Sequence, residues 1–554
     1  MTVIAQKAMM FDELLGLVRL GGSGTQNSPG ICVDSRLVRK GDIFVAIPGS
    51  NKDGHDFIGQ AVAKGAKYVV CERVPAANLA QSADYQIIIV GNCAKAVGLL
   101  AQAAKGNPAS KLVNLAVTGT NGKTTVTFLV RSCIQAAGKK CGLIGTIVYD
   151  TGLSRSPAPL TTPDCLSLAD AQQQMVEAGA EYMVAEASSH ALYQDRLAGI
   201  DFKAAAFTNL TGDHLDFHKT KEAYLAAKTK LFVGLSADSV AVLNKQSPEA
   251  RFIAGQTEAR VLWYAIDEPA DITAHIESMD IDGTVFVLEY QGNRHTVETA
   301  LLGRYNVSNH LAAAGLCLAA GLDLETIARG LSALQGVPGR LEKVRCPEHK
   351  RSSAPYVLVD FAHTDDALKN VLSTLKPLCK GRLIVVFGCG GDRDRTKRPR
   401  MAKVTEQLAD MVVVTSDNPR TEQPMDIINQ IIAGFEDRPM IRAQETGDRR
   451  QKTEDRRQST EATAQRNTQY AIRNTKLIEP DRKKAIGLAI ETASSNDIVL
   501  IAGKGHETYQ IIGTKKFDFS DREVAEQFLR TKMPVITLEP RGKRQPTEAS
   551  QSMR

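Results

Sequence analysis

Short apolar runs recur along the chain, each ending in a polar or glycine-rich loop, with helical stretches between them. Near the N-terminus, residues 43–47, 67–70 and 86–90 predict strands. The pattern sharpens further on: 112–117, 182–185, 204–207 and 240–243, then 356–359, 383–387, 411–414 and 498–501. Strands that are apolar throughout and alternate with helices predict parallel sheets covered on both faces. The expected class is therefore α/β. A chain of 554 residues holds about three domains at roughly 100–200 residues each. Gly106-Asn107-Pro108 reads as a linker and Val337-Pro338-Gly339 as a second turn, so the expected divisions are 1–108, 109–340 and 341–535, with a disordered tail over 536–554.

One segment breaks the rhythm. Residues 445–476 hold five apolar side chains against eight basic and five acidic ones, with an imperfect DRRQKTEDRRQ repeat. Such a segment cannot bury enough surface to offset the entropy of ordering, so it predicts a disordered or loosely helical surface insertion. It follows the helix expected near 425–435.

Composition narrows the class further. With 43% apolar and 23% charged residues, a fibrous or wholly disordered chain is excluded. The net charge of +6 is mild for this length, so neither nucleic acid nor a membrane is an expected partner. The ten cysteines are scattered without a CxxC pair and read as reduced thiols of a cytosolic protein. The first twenty residues lack a leader pattern, and the longest apolar stretch, 312–322, is far short of the roughly 20 residues a membrane helix needs. A cytoplasmic monomer is the expectation.

The strongest chemical signal is Gly119-Thr120-Asn121-Gly122-Lys123-Thr124-Thr125, which follows an apolar strand and opens a helix over 126–136. Glycines let the backbone N–H groups curl toward a phosphate, and the helix N-terminus adds partial positive charge. Lys123 would neutralise the β- and γ-phosphates of ATP, and the Thr124 hydroxyl would bind Mg²⁺. Counted from Gly119, the loop is two residues shorter than the common phosphate-loop pattern. Ligands of open α/β sheets gather beyond the carboxyl ends of strands. There the chain carries Glu186, Ser188 and His190 after one strand, and Asp213, His214 and Asp216 after another. A Glu and a His near a phosphate-loop Thr make a plausible Mg²⁺ shell.

Taken together, GTNGKTT, EASSHALYQDRL and FTNLTGDHLDFHKT resemble the muramyl-peptide ligase family, ATP-dependent amide-forming enzymes of peptidoglycan precursor synthesis. The resemblance spans about 30–530, interrupted by the insertion, and includes Asp34-Ser35-Arg36, Leu302–Asn309, Gly336–Arg340 and Asp360–Thr364. It implies three domains: one for a uridine nucleotide, a central phosphate-loop parallel sheet, and a C-terminal Rossmann-like domain. Phe387–Asp394, Asp417-Asn418-Pro419-Arg420 and Gly503–Glu507 resemble the members that add meso-diaminopimelate to the D-glutamate of UDP-MurNAc-dipeptide.

Roles follow from that resemblance. Lys123 and Arg340 would stabilise the transferring phosphate. Thr124 and Glu186 would hold one Mg²⁺ and His214 a second, and Lys228 in a carbamylated form would be a further ligand. Asn306 and Asn309 would lie near the adenine and phosphates, and Asp360 near the ribose. Ser35 and Arg36 would meet the uridine diphosphate, with Asp53-Gly54-His55 in the same pocket. Thr161, Thr162, Ser188 and Arg196 would meet the sugar-peptide. Arg393 and Arg420 would clamp the distal carboxylate of diaminopimelate and Glu507 its ammonium, among Asp417, Asn418, Pro419 and Gly503. Read by itself, Lys228 is a helix-surface lysine. The chain departs from the family at Lys245-Gln246-Ser247, where acidic residues are common. Alternatives are a lysine-adding relative, a folylpolyglutamate synthetase, and a nucleotide-dependent binding protein without catalysis.

Overall fold

The computed structural model describes residues 10–20, 29–49, 52–74, 84–211, 215–348, 352–436, 440–442 and 475–531. The chain divides into two compact units, Met1–Leu341 and Glu342–Arg554.

Among the described residues, the first unit holds two sheets. The smaller has four parallel strands in the order Ile31–Cys32, Ile43–Val45, Tyr68–Cys71 and Gln86–Ile89. The helix Cys93–Ala104 packs on it and also meets the helix Cys165–Glu177 of the larger sheet. Buried amides carry this joint: Gln102 Nε2 donates to Gln172 Oε1 (2.6 Å), and Gln172 Nε2 donates to Asn114 Oδ1 (3.2 Å).

The larger sheet has Val113–Thr118 near its centre, flanked in parallel by Tyr182–Glu186 and Phe202–Phe207. These strands are apolar on both faces because helices cover both, as the sequence predicts. The sheet is not parallel throughout. Beyond Val240–Asn244 and Arg260–Ile266 it continues into an antiparallel ribbon, Ile272–Met279, Thr284–Tyr290 and Asn293–Thr299. Its two outer strands alternate buried and more exposed positions and lack the apolar runs that marked the other strands, while Thr284–Tyr290 between them carries one. Its last hairpin turns through Gln291 and Gly292, both at positive φ.

The second unit is built on seven strands: Glu342–Lys343, Tyr356–Asp360, Ile498–Ala502, Leu383–Phe387, Met411–Val414, Thr475–Ile478 and Met440–Arg442. All pairs but the first are parallel. The helix expected near 425–435 runs Pro424–Ile432. Most of the expected insertion, and the tail from 536, lie outside the described residues. Its final two positions do not belong to an insertion, because Thr475 and Lys476 open a strand. Lys476 is buried there, paired with Glu406 and 4.5 Å above the Phe435 ring. A lysine at the edge of a polar stretch gave no sign of this long-range partner.

All ten cysteines are free thiols. Among the described residues, no helix is long and apolar enough to cross a membrane.

Candidate active site

The phosphate loop leaves the central strand at Thr118 and enters the helix Lys123–Ala136. Two of its glycines are required by geometry. Gly119 sits at φ +144° and Gly122 at φ +92°. A Cβ on Gly119 would stand 1.9 Å from Thr208 Oγ1, and one on Gly122 2.3 Å from Asn309 Oδ1. The neighbouring strand end braces the loop. Asn121 N–H donates to Asn209 Oδ1 (3.0 Å), Thr208 Oγ1 donates to the Asn121 carbonyl (2.6 Å), and Thr211 N–H donates to Thr120 Oγ1 (2.9 Å). Lys123 Nζ donates to the carbonyls of Gly119 and Thr120, both at 2.9 Å. Thr124 and Thr125 are buried in the first helical turn.

Arg340, distant in sequence, reaches the same place: its Nη2 donates to Thr124 Oγ1 at 3.2 Å. Asn306 and Asn309 are buried on one helix, with Asn309 Nδ2 donating to Asn306 Oδ1 (3.0 Å). Beside them His310 is fully buried, its Nδ1 2.6 Å from the Asn306 carbonyl and its Nε2 3.1 Å from Thr299 Oγ1. Burial lowers its pKa to about 4, so it stays neutral near pH 7.

Lys228 corrects its isolated reading. It lies on the helix Lys221–Val233 but is 1% exposed, not on the surface. Its Nζ donates to the Gly119 carbonyl at 2.8 Å and stands 4.5 Å from the Tyr224 ring centroid. Tyr224 in turn reaches Thr120, hydroxyl to hydroxyl at 3.2 Å. Its neighbours Ala226, Ala227, Thr229 and Lys230 give no sign of burial, because the carbonyl that Lys228 meets belongs to the distant Gly119.

Glu186 ends the strand beside the loop and is 1% exposed. Its Oε1 accepts from Thr146 N–H and its Oε2 from the Thr146 hydroxyl, both at 2.8 Å. Every partner it has among the described residues is neutral. A buried carboxylate met only by neutral donors suits a cation. With the Thr124 hydroxyl it supplies hard oxygen donors, which is the chemistry Mg²⁺ requires. The Lys228 amine is a donor and offers no oxygen. His214, the fourth expected ligand, lies outside the described residues. His190 stacks on Phe217 with ring centroids 4.1 Å apart.

The four residues expected at the sugar-peptide come together beside Glu186. Thr162 Oγ1 donates to the Glu186 carbonyl (2.6 Å) and accepts from Ser188 N–H (3.1 Å). Arg196 Nη1 donates to the Thr162 carbonyl (3.0 Å), and the hydroxyls of Thr161 and Thr146 are 3.1 Å apart. In the small sheet, Ser35 is buried and its Oγ donates to Gln60 Oε1 (2.6 Å). Arg36 is exposed and pairs with Asp34 at 2.6 Å, which holds the Asp34 carboxyl down at about 2. His55 bridges Asp53 and the Glu72 N–H; because Nε2 accepts the latter (3.0 Å), Nδ1 carries the proton toward Asp53 (2.7 Å).

In the second unit, adjacent strands deliver a second cluster at their carboxyl ends. Asp360 accepts from Ala362 N–H through Oδ1 (2.7 Å), and its carbonyl accepts from Gly503 N–H (3.0 Å). The segment Asp417–Arg420 is clasped from both sides. On one side, Gly391 N–H donates to the Asn418 carbonyl (2.9 Å) and Arg420 Nη1 donates to the Gly391 carbonyl (2.7 Å). A Cβ on Gly390 would meet Arg420 Nη1 at 2.9 Å and Arg393 Cγ at 3.8 Å, so both arginines pass over one α-carbon. On the other side, Asn418 Nδ2 and Lys504 Nζ both donate to Glu507 Oε2 (2.8 and 2.9 Å). Arg393 itself is exposed.

Sequence reasoning missed the supports of this cluster. Tyr509–Ile512 and Lys515–Asp518 form a hairpin that bonds Arg420 through its backbone: Arg420 N–H donates to the Ile511 carbonyl (3.1 Å), and Gly513 N–H donates to the Arg420 carbonyl (2.7 Å). Arg398 is fully buried and grips both oxygens of Glu422 at 2.9 Å, while Asp392 N–H donates to Glu422 Oε1 (2.7 Å). Arg482 and Asp521 are both fully buried and doubly bonded at 2.7 Å. The same guanidinium donates to the carbonyls of Ser416 (3.3 Å) and Ala502 (2.9 Å), tying the two strand ends that carry Asp417 and Gly503. Partners so far apart in sequence leave no local signal.

A phosphate loop at the centre of one sheet, and an arginine-bearing cluster at the strand ends of another, define a nucleotide-using ligase. The chain belongs to the Mur ligase family. It matches the Mur ligase catalytic domain over residues 29–105, the Mur ligase middle domain over 117–317, and the Mur ligase glutamate ligase domain over 339–463. It is 41% identical over 499 residues to the UDP-N-acetylmuramoyl-L-alanyl-D-glutamate–2,6-diaminopimelate ligase of Geobacillus kaustophilus, covering 89% of this chain and 93% of that one. A solved structure of a ligase with the same name aligns with a TM-score of 0.61 and 32% identity, covering 90% of this chain and 94% of that one. The folylpolyglutamate synthase of Mycobacterium tuberculosis, solved with ADP and AMPPCP, shares the fold alone, at 18% identity and a TM-score of 0.55 over 79% of this chain and 96% of its own. The α/β class and the three-part architecture expected from the sequence are those of this family.

Proposed function

We propose that this chain ligates meso-2,6-diaminopimelate to the D-glutamate γ-carboxylate of UDP-N-acetylmuramoyl-L-alanyl-D-glutamate, at the expense of ATP. The observation that carries the reading is the clasp of Asp417-Asn418-Pro419-Arg420 between Gly391 and Glu507. It sets a guanidinium and a carboxylate on one short segment, which suits the zwitterionic far end of a diamino diacid. The 41% identity to a ligase named for that substrate supports it.

In this reading the γ-carboxylate oxygen attacks the γ-phosphorus of ATP, and ADP leaves. The free amine then attacks the acyl carbon, the amine loses a proton, and phosphate departs from the tetrahedral intermediate. A free carboxylate is a poor acyl donor, so the phosphate supplies the leaving group. The chain contributes positioning and charge neutralisation. Lys123 and Arg340 meet the phosphoryl oxygens; the bond from Arg340 to Thr124 supports that placement. One Mg²⁺ held by Thr124 and Glu186 and a second held by His214, with a carbamylated Lys228 as a further ligand, would add positive charge at the phosphates. Asn306 and Asn309 lie toward the nucleotide and Asp360 toward its ribose. Ser35 and Arg36 take the uridine diphosphate, and Thr161, Thr162, Ser188 and Arg196 take the sugar-peptide. Arg420 and Arg393 bind the distal carboxylate. Glu507, whose Oε2 is met by Lys504 and Asn418, takes the distal ammonium, among Asp417, Asn418, Pro419 and Gly503. The protein works as a cytoplasmic monomer.

The test is phosphate release from ATP with the muramoyl dipeptide nucleotide, comparing meso-diaminopimelate with L-lysine. Release with diaminopimelate alone is expected. Release with lysine alone would overturn the reading of Arg393 and Arg420.

A further inference from the structure

We propose that Thr146 is a positioning residue that couples the carboxylate Glu186 to the sugar-peptide side of the site. The inference rests on the proposed ligase reaction, in which Glu186 faces the metal. Thr146 lies in the turn after the strand Cys141–Ile144, where neither its position nor its neighbours single it out in the sequence.

Its two donors meet both oxygens of one side chain. The backbone N–H binds Glu186 Oε1 and the hydroxyl binds Oε2, each at 2.8 Å. Two bonds from a single residue fix the plane of the carboxylate as well as its position. The residue before it keeps the space clear, because a Cβ on Gly145 would stand 2.4 Å from Oε1.

The bonds also have a forced direction. An ionised carboxylate only accepts, so the hydrogen of the Thr146 hydroxyl is committed to Glu186. Thr161 lies 3.1 Å from that same hydroxyl. It must therefore donate, and its own single hydrogen is spent on Thr146. Toward a ligand, Thr161 presents lone pairs. It accepts from an N–H or O–H, such as a peptide amide or a sugar hydroxyl, and does not donate to a carboxylate. The chain Thr161→Thr146→Glu186 thus sets the polarity of a substrate contact and the orientation of a metal-side carboxylate together.

Neighbours that orient a ligating carboxylate are worth roughly 10- to 100-fold in metal affinity. The experiment titrates Mn²⁺ into the full chain at saturating ADP, for Thr146→Val, Thr146→Ala and Thr146→Ser. The Val and Ala variants are expected to weaken Mn²⁺ by roughly that factor, while Ser retains it. KM for the muramoyl dipeptide nucleotide should rise in the same two variants, with KM for diaminopimelate unchanged. Mn²⁺ binding by Val and Ala equal to that of the unaltered chain would overturn the proposal. So would a Ser variant as weak as Val, since that assigns the effect to shape and not to the hydroxyl. The Mn²⁺ titration needs no amino acid. If the unaltered chain fails to ligate diaminopimelate, the reaction assignment falls while the titration still decides the role of Thr146.

Discussion

Lys228 Nζ donates a 2.8 Å hydrogen bond to the carbonyl oxygen of Gly119, joining residues 109 positions apart. The bond fixes the first glycine of the phosphate loop from below, at a φ of +144°. With Tyr224 on Thr120, the helix Lys221–Val233 holds two successive residues of that loop.

Replacing Lys228 by alanine removes this support from a buried position. Ligation should fall on the order of 100-fold or more, the scale of losing one charged or oriented donor at a reacting phosphate or carbonyl. If the lysine works as a carbamate, acetate should restore part of the rate and ethylammonium should not. Rescue by the amine alone would assign the working form as the ammonium.

Gly119→Ala would put a methyl group 1.9 Å from Thr208 Oγ1, in a backbone region that side chains disfavour. ADP affinity, read by calorimetry, should drop at least about tenfold because the loop must move to relieve the overlap. Unchanged ADP binding would mean that the loop relaxes freely.

Arg420→Lys keeps the charge and loses the planar fork. KM for diaminopimelate should rise about tenfold or more, with KM for ATP and for the nucleotide-dipeptide little changed. Steady-state kinetics with each substrate varied in turn separates these terms.

Acid stability offers a test independent of catalysis. Hydrogen bonds from Arg398 lower the Glu422 carboxyl from its ordinary 4.5 to about 2. Its folded pKa lies below its unfolded one, so its contribution to stability is fully present above about 4.5 and is lost as pH falls toward 2. Glu422→Gln should remove that part of the acid dependence between these pH values, measured as urea midpoint against pH. A slope identical to that of the unaltered chain would show that the pair does not govern it.

The strands were legible wherever both faces are buried, since continuous apolar runs such as 383–387 have no solvent side to interrupt them. The loops after them were legible too, because glycines, threonines and charged residues at strand ends are conspicuous between such runs. What escaped notice depends on distance. The ribbon over 272–299 alternates weakly, and its strands declare themselves only when paired. Lys228, Lys476 and Arg398 each look like ordinary solvated charges, because the partner that buries them comes from another element. Thr146 is a single hydroxyl after a glycine, and only the fold brings it to Glu186.

The bond between Arg482 and Asp521 bears on how the protein is made. Asp521 follows Asp417 by about a hundred positions, which at roughly 5–20 residues per second is several seconds of synthesis. Until the helix Asp521–Thr531 leaves the ribosome, Arg482 lacks the carboxylate it is hydrogen-bonded to, and a guanidinium without that partner is costly to bury. The central phosphate loop belongs to an earlier unit and can take shape without waiting. A nascent chain could therefore hold nucleotide before its amino-acid cluster is complete.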